Sequence, residues 1–210
     1  MQRTFSDPSG MPGRGLRLAI AGIALGLFAT PQVAQAQRFR TPDPDYQGII
    51  LEAYGAFVIP MGSDLNSAPV NLDPGPGVGA GFRWVFPNMI SAGGGVRYSS
   101  HNVNGFSQAS QFLSVFGEIG YTFIFDSTPL RPTLGGRIGW TTQLLPAVFN
   151  ANRNGLSVGA LGGVEVPLSE VVALMGSLTF DFLSLAELPG TPVDGTGQLF
   201  AIEAGVVIIP

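Results

Sequence analysis

From residue 49 onward the chain alternates apolar and less apolar positions with a period of two, and no useful stretch keeps the spacing of an amphipathic helix. Eight segments carry the alternation: 49–59, 77–86, 89–100, 111–125, 130–143, 155–167, 171–183 and 198–209. Glycine and proline interrupt the chain too often for helices but fall between and within strands without destroying the pattern. Most of the eight reach the roughly 9–11 residues that a tilted strand needs to cross a bilayer. The segments between them are long and short in turn: 60–76, then 87–88, 101–110, 126–129, 144–154, 168–170 and 184–197. A soluble sandwich has no reason to alternate in this way. Tight turns at one end and longer loops at the other are what an up-and-down barrel in a membrane displays.

The two faces of the strands decide the environment. One face of 171–183 carries Leu174, Gly176, Leu178, Phe180 and Phe182; the other carries Ala173, Met175, Ser177, Thr179 and Asp181. Strand 111–125 splits likewise, with Leu113, Val115, Ile119 and Tyr121 opposite Ser114, Glu118, Gly120 and Thr122. All nine charged residues of the strands fall on the less apolar face: Glu52, Arg83, Arg97, Glu118, Arg131, Arg137, Glu165, Asp181 and Glu203. An arginine facing lipid near the bilayer midplane costs about 2–4 kcal/mol, so one residue out of phase would be expensive. In a soluble ligand-binding barrel the faces would be reversed, with charge outside and an apolar interior. Here the apolar face is expected outside. Trp84, Phe86, Phe123 and Phe125 near short turns, and Tyr98 and Trp140 near long loops, are placed as interfacial girdles.

Upstream of the strands, Arg3, Arg14 and Arg17 precede an apolar run over 18–28, and Ala34-Gln35-Ala36 follows as a small-x-small cleavage pattern. This reads as a cleaved signal peptide over 1–36, with the start at Met1 or Met11, then a short periplasmic lead over 37–46 and a barrel domain over 47–210. The run is too short for a helical span, which needs about 20 residues. The fold class expected is therefore all-β: an eight-stranded antiparallel up-and-down transmembrane β-barrel behind a cleaved signal.

Composition narrows the chemistry. Only 11% of the 210 residues are charged, against about a quarter in a soluble domain, which is too little to coat the chain for water. Every cation is an arginine, and the net charge of −4 argues against a nucleic-acid partner. The absence of cysteine removes thiol chemistry, disulfides and cysteine-held metals, and the single histidine with scattered carboxylates offers no metal site. No cofactor is expected.

Eight strands leave an interior that side chains can fill. Counted from the short-turn end, Glu52, Arg83, Arg131 and Glu165 lie low, Arg97, Glu118, Arg137 and Glu203 lie midway, and Asp181 lies higher. Guanidinium groups can each bridge two carboxylates, so these residues are expected to form a charge-paired plug rather than a pore, with an arginine beside both Glu118 and Glu203. Catalysis is the competing reading of paired carboxylates. A second enzymatic reading sets His101 beside Ser99 and Ser100 with Asp181 or Asp194 as the acid, but a lone histidine opening a polar loop is ordinarily a solvated turn residue. No catalytic residue is assigned.

Three stretches carry a resemblance to a known family: GAFVIPMGSDL at 55–65, GVGAGFRWVFPNMISAGGGVRY at 77–98, and GQLFAIEAGVVIIP at 197–210. Residues 47–210 resemble the small eight-stranded outer-membrane barrels of the OmpA membrane-domain and OmpX type. The resemblance implies the outer membrane of a Gram-negative type envelope, contact with outer-membrane lipid and the barrel insertion machinery, and a monomer. It implies a structural, envelope or surface-recognition role with loops outward, or alternatively a narrow porin-like channel or a lipid-modifying enzyme. The extracellular ligand stays open. The family's last strand usually ends in an aromatic residue, whereas this chain ends Ile209-Pro210, and no peptidoglycan-binding domain follows.

Overall fold

The computed structural model describes residues 46–66, 70–125, 128–147, 152–187 and 195–210. The expected signal peptide and all of the lead except Tyr46 lie outside the described residues. The strands are β1 (Gly48–Met61), β2 (Gly75–Val85), β3 (Ile90–Asn102), β4 (Ala109–Thr122), β5 (Arg131–Leu144), β6 (Asn152–Pro167), β7 (Val172–Leu185) and β8 (Thr196–Ile208). Each pairs antiparallel with the next, and β8 pairs with β1, so the sheet closes and no strand edge is left open.

Register sets the shape of the barrel. The ladder that starts at Ile50 runs through Arg83, Gly93, Glu118, Arg137, Gly159, Asp181 and Leu199, and returns to β1 at Pro60, ten residues beyond its start. Ten residues of about 3.3 Å rise against eight strand spacings of about 4.8 Å give a strand tilt of about 40°. Residues paired across strands therefore climb around the barrel, and side chains that meet inside belong to different rungs.

Alternation puts the large apolar side chains outside. Val78, Ile119 and Ile138 are each about 60% exposed, and Trp84, Phe86, Tyr98, Phe125 and Trp140 also face outward near the strand ends. Phe123 is half-buried, edge-on to Tyr121 at 4.9 Å between centroids. All eight strands overrun their expected limits at the long-loop end by one to three residues, into polar positions such as His101, Asn102, Asn152 and Arg153. Ladder hydrogen bonds continue past the apolar band, where no hydrophobic alternation marks them. At the short-turn end β3 begins at Ile90 because Met89 takes a left-handed φ of 63° to close the turn, with its side chain packed beneath the barrel.

The loop between β1 and β2 does not simply cover the barrel. It contains a single helical turn, α1 (Ser63–Asn66), and a bridge from Leu72 to Val103. Leu65, Val70 and Leu72 turn into the barrel mouth against Val58, Phe112, Leu183, Leu199 and Ala201. The long-loop end is thus sealed by an apolar core of soluble-protein character. Asp64 Oδ2 accepts the Thr196 backbone N–H at 2.8 Å and ties α1 to β8. Leu65 is fully buried there, so Leu65→Ala is expected to cost about 2 kcal/mol or more, measured by denaturant titration of the folded band in detergent micelles.

Candidate functional site

Inside the barrel the charged side chains form two layers. In the lower one, near the short turns, Arg83 of β2 has its Nε 3.0 Å from Glu52 Oε1 of β1, an ion contact without hydrogen-bond alignment. Its Nη2 bonds to Glu165 Oε1 of β6. Tyr46, from just before β1, reaches into this layer: its hydroxyl donates to Glu165 Oε2 and accepts from Arg83 Nη2 at 3.2 Å. Burial pushes the Tyr46 phenol above its ordinary value, so it keeps the proton it donates. Arg131 of β5 stands opposite Glu165 in the register, but Glu165 is already engaged. The Arg131 guanidinium instead stacks 4.1 Å over the Tyr46 ring.

The upper layer joins β3, β5, β7 and β8. Asp181 receives Arg137 through a two-pronged contact, with Nε at 2.6 Å from Oδ1 and Nη2 on Oδ2. It also receives Arg97 Nη2 at 2.7 Å. Arg97 Nη1 then reaches Glu203 Oε1 and the Thr179 hydroxyl, both at 3.1 Å, and Ser177 Oγ donates to Glu203 Oε2 at 2.8 Å. Arg137 lies 4.9 Å over the Phe116 ring. Room for this crossing comes from Gly159, the register partner of Asp181, where a Cβ would fall 2.1 Å from Asp181 Oδ1. Asp181, placed higher by counting from the turns, is the hub of this layer because the sheet tilt brings it within reach of Arg97 and Arg137.

Glu118 departs from the expected pairing. It stands opposite Arg137 in the β4–β5 register, yet Arg137 is committed to Asp181, and Glu118 makes no ion pair with any described residue. Glu118 instead faces a cavity of about 50 Å³ between the layers, lined also by Glu52, Thr133, Ser177 and Glu203. We expect Arg97→Ala to lower stability by about 3 kcal/mol, because Asp181 and Glu203 each lose a buried partner. Glu118→Gln breaks no pair and is expected to stay within about 1 kcal/mol of the parent, in the same micelle titration.

Above the charges lies a belt of buried polar groups. Ser114 and Thr141 share a hydrogen bond at 2.9 Å, and Gln143 Nε2 donates to Ser110 Oγ at 3.2 Å. His101 is completely buried, not a solvated turn residue, because β3 carries it inward past the end of the apolar band. Its Nδ1 lies 3.0 Å from the Asp73 carbonyl, which can only accept, so Nδ1 bears the hydrogen and Nε2 accepts from Ser99 Oγ at 2.9 Å. Phe112 closes over the ring edge-on at 5.4 Å. Serine and histidine are thus adjacent, but Asp181 is held by two arginines, Ser100 points away from the lumen, and Asp194 lies outside the described residues.

Two contributors were missed by reading the sequence. Arg153 falls in the expected loop 144–154, yet it is buried in β6 and donates from Nε to the Ala186 carbonyl at 2.9 Å. Its odd parity, shared with Gly155 and Ser157, was the available signal. Tyr46 had no signal, since it precedes the alternating region.

No protein-family model matches the chain, and no curated protein sequence matches it. Solved structures do. The crystal structure of Neisserial surface protein A superposes with a TM-score of 0.59 at 18% identity, covering 78% of this chain and 97% of that one. The outer membrane protein OprG from Pseudomonas aeruginosa follows at a TM-score of 0.50 and 11% identity, covering 77% and 95%. At such identities the likeness is one of fold, and the chain has the closed eight-stranded antiparallel fold of small outer-membrane barrels.

Proposed function

We propose that this protein is an outer-membrane barrel with a structural or surface-recognition role, acting as a monomer in contact with outer-membrane lipid and delivered by the barrel insertion machinery. The observation that carries this reading is the sorting of side chains. All ten arginine and carboxylate side chains of the strands, Arg153 included, turn inward while Phe82, Val96, Leu134, Val158, Leu178 and Ile202 stand outward on six different strands. That arrangement is costly in water and favourable in hydrocarbon, where a closed sheet also satisfies every ladder hydrogen bond. The likeness to barrels described as outer-membrane and surface proteins supports the same location.

Paired arginines and carboxylates cross the lumen between two apolar closures, so the function belongs to the loops and the outer rim rather than to transport. No enzymatic activity or cofactor is assigned: the Ser99–His101 pair is covered by Phe112. The test combines gel migration of the membrane-extracted protein before and after boiling with conductance in planar bilayers. A compact band that shifts on boiling, together with a silent bilayer, is the expected result. Recovery in a soluble fraction without a shift would overturn the membrane assignment, and steady single-channel steps would replace the filled lumen by a narrow channel.

A further inference from the structure

The cavity between the two charge layers has a polar lining and, at about 50 Å³, room for a few waters. Its two closures are built differently. Toward the long loops lie the Arg97–Asp181–Arg137 layer, the hydroxyl belt and the apolar core around Leu65, contributed by several strands and α1. Toward the short turns the cavity wall includes Arg83 and Glu165; beneath them Tyr46, from before β1, packs with Ile50, Val85 and Val207, beside Met89 and Ile209.

Tyr46 lies outside the strand ladders: pairing of β1 begins at Gly48 with β2 and at Leu51 with β8. Its phenol is held by Glu165 and Arg83, and its ring by Arg131. Two residues on, Gly48 takes a φ of +114°, and a Cβ there would meet nothing within 4 Å, so the backbone at this joint is both glycine-dependent and unpacked. If the ring leaves, Glu165 keeps Arg83, and Arg131 gains water. A side chain that no strand ladder holds, on a glycine joint, beneath a polar cavity with room for water, has the construction of a hinged plug.

We infer that Tyr46 is a swinging plug through which the lumen cavity exchanges water and small solutes at the short-turn end, while the long-loop end stays shut. The lumen is then a one-ended chamber rather than a solid filling. This stands apart from the membrane assignment, because it concerns the folded barrel in any environment.

The absence of native cysteine makes the test clean. Thr133→Cys places a thiol on the cavity wall, and Ser114→Cys places one above the upper charge layer. Each is reacted in detergent micelles with methanethiosulfonate ethylammonium, the folded state being checked by gel migration without boiling. With Tyr46 present, Thr133→Cys is expected to react at least a hundredfold slower than in the unfolded chain. Tyr46→Ala should accelerate it tenfold or more, and Tyr46→Phe, which keeps the ring but not the bond to Glu165, severalfold. Ser114→Cys should not accelerate in either background.

An unchanged Thr133→Cys rate in folded Tyr46→Ala would overturn the plug, as would equal acceleration of Ser114→Cys, which means general loosening. Reaction at the unfolded rate with Tyr46 in place would show that nothing seals the floor, and also overturns it. If Tyr46→Ala does not fold, the Tyr46→Phe rate decides, and no change there sinks the inference.

Discussion

Replacing Asp181 by asparagine is expected to destabilise the barrel by about 3–5 kcal/mol, with little change in its backbone. The substitution keeps the shape and removes only the charge. Asp181 is the acceptor for both Arg137 and Arg97, and it lies on the far side of the lumen from Arg97. Without it, two guanidiniums remain buried, and among the described residues the one carboxylate left within 4 Å is Glu203, at 3.1 Å from Arg97 and 3.9 Å from Arg137. A charge in a low-dielectric interior that loses its partner carries the whole desolvation penalty, which is why breaking one end of a pair costs more than the pair was worth. Urea titration in micelles, read by the folded band, measures the loss. A second measurement fixes the cause: in the Arg97→Ala background, Asp181→Asn should cost less than it does alone, since one of the stranded cations is gone. Additive effects would mean that the two residues do not act through their contact.

Leu178→Arg should cost about 2–4 kcal/mol when the protein is folded into lipid bilayers, against well under 1 kcal/mol for Leu178→Gln in water-exposed surroundings. Leu178 stands outward near the middle of β7 and is 51% exposed. In a water-soluble barrel such a position accepts arginine readily. In hydrocarbon the guanidinium must be dragged toward an interface or held in a water defect, and both are unfavourable. The comparison position is Asn154, exposed on the outer side of β6 beyond the apolar band, where arginine should be neutral. Equal tolerance at the two positions in bilayers would contradict a lipid-facing exterior.

How much of this was legible in the chain follows from what each feature depends on. Strand number, the alternation of turn lengths and the inward phase of Glu52, Arg83, Arg97, Glu118, Arg131, Arg137, Glu165, Asp181 and Glu203 are consequences of a period-two pattern, which is local. A strand has only two faces, and lipid leaves no choice about which one takes charge. Strand ends were less legible, because beyond the apolar band a strand needs only ladder hydrogen bonds, and Asn102 or Asn152 looks like loop in any window. The inward turn of Leu65, Val70 and Leu72 was visible only as three apolar residues in a segment otherwise rich in turn formers.

Partnership inside the lumen could not be read along the chain. Reading rungs across the sheet pairs Glu118 with Arg137 and Arg131 with Glu165, and in the folded barrel neither pair forms an ion pair among the described residues. The ten-residue offset on closure tilts the rungs, so Asp181 comes level with Arg97 and Arg137, while Glu118 is left facing the cavity. Tyr46 enters from outside the repeating pattern and takes the acceptor that Arg131 would have used. Alternation along one strand thus suffices to say that a charge points inward. Which charge it meets depends on tilt, closure and the length of each side chain, and these are properties of the whole barrel alone.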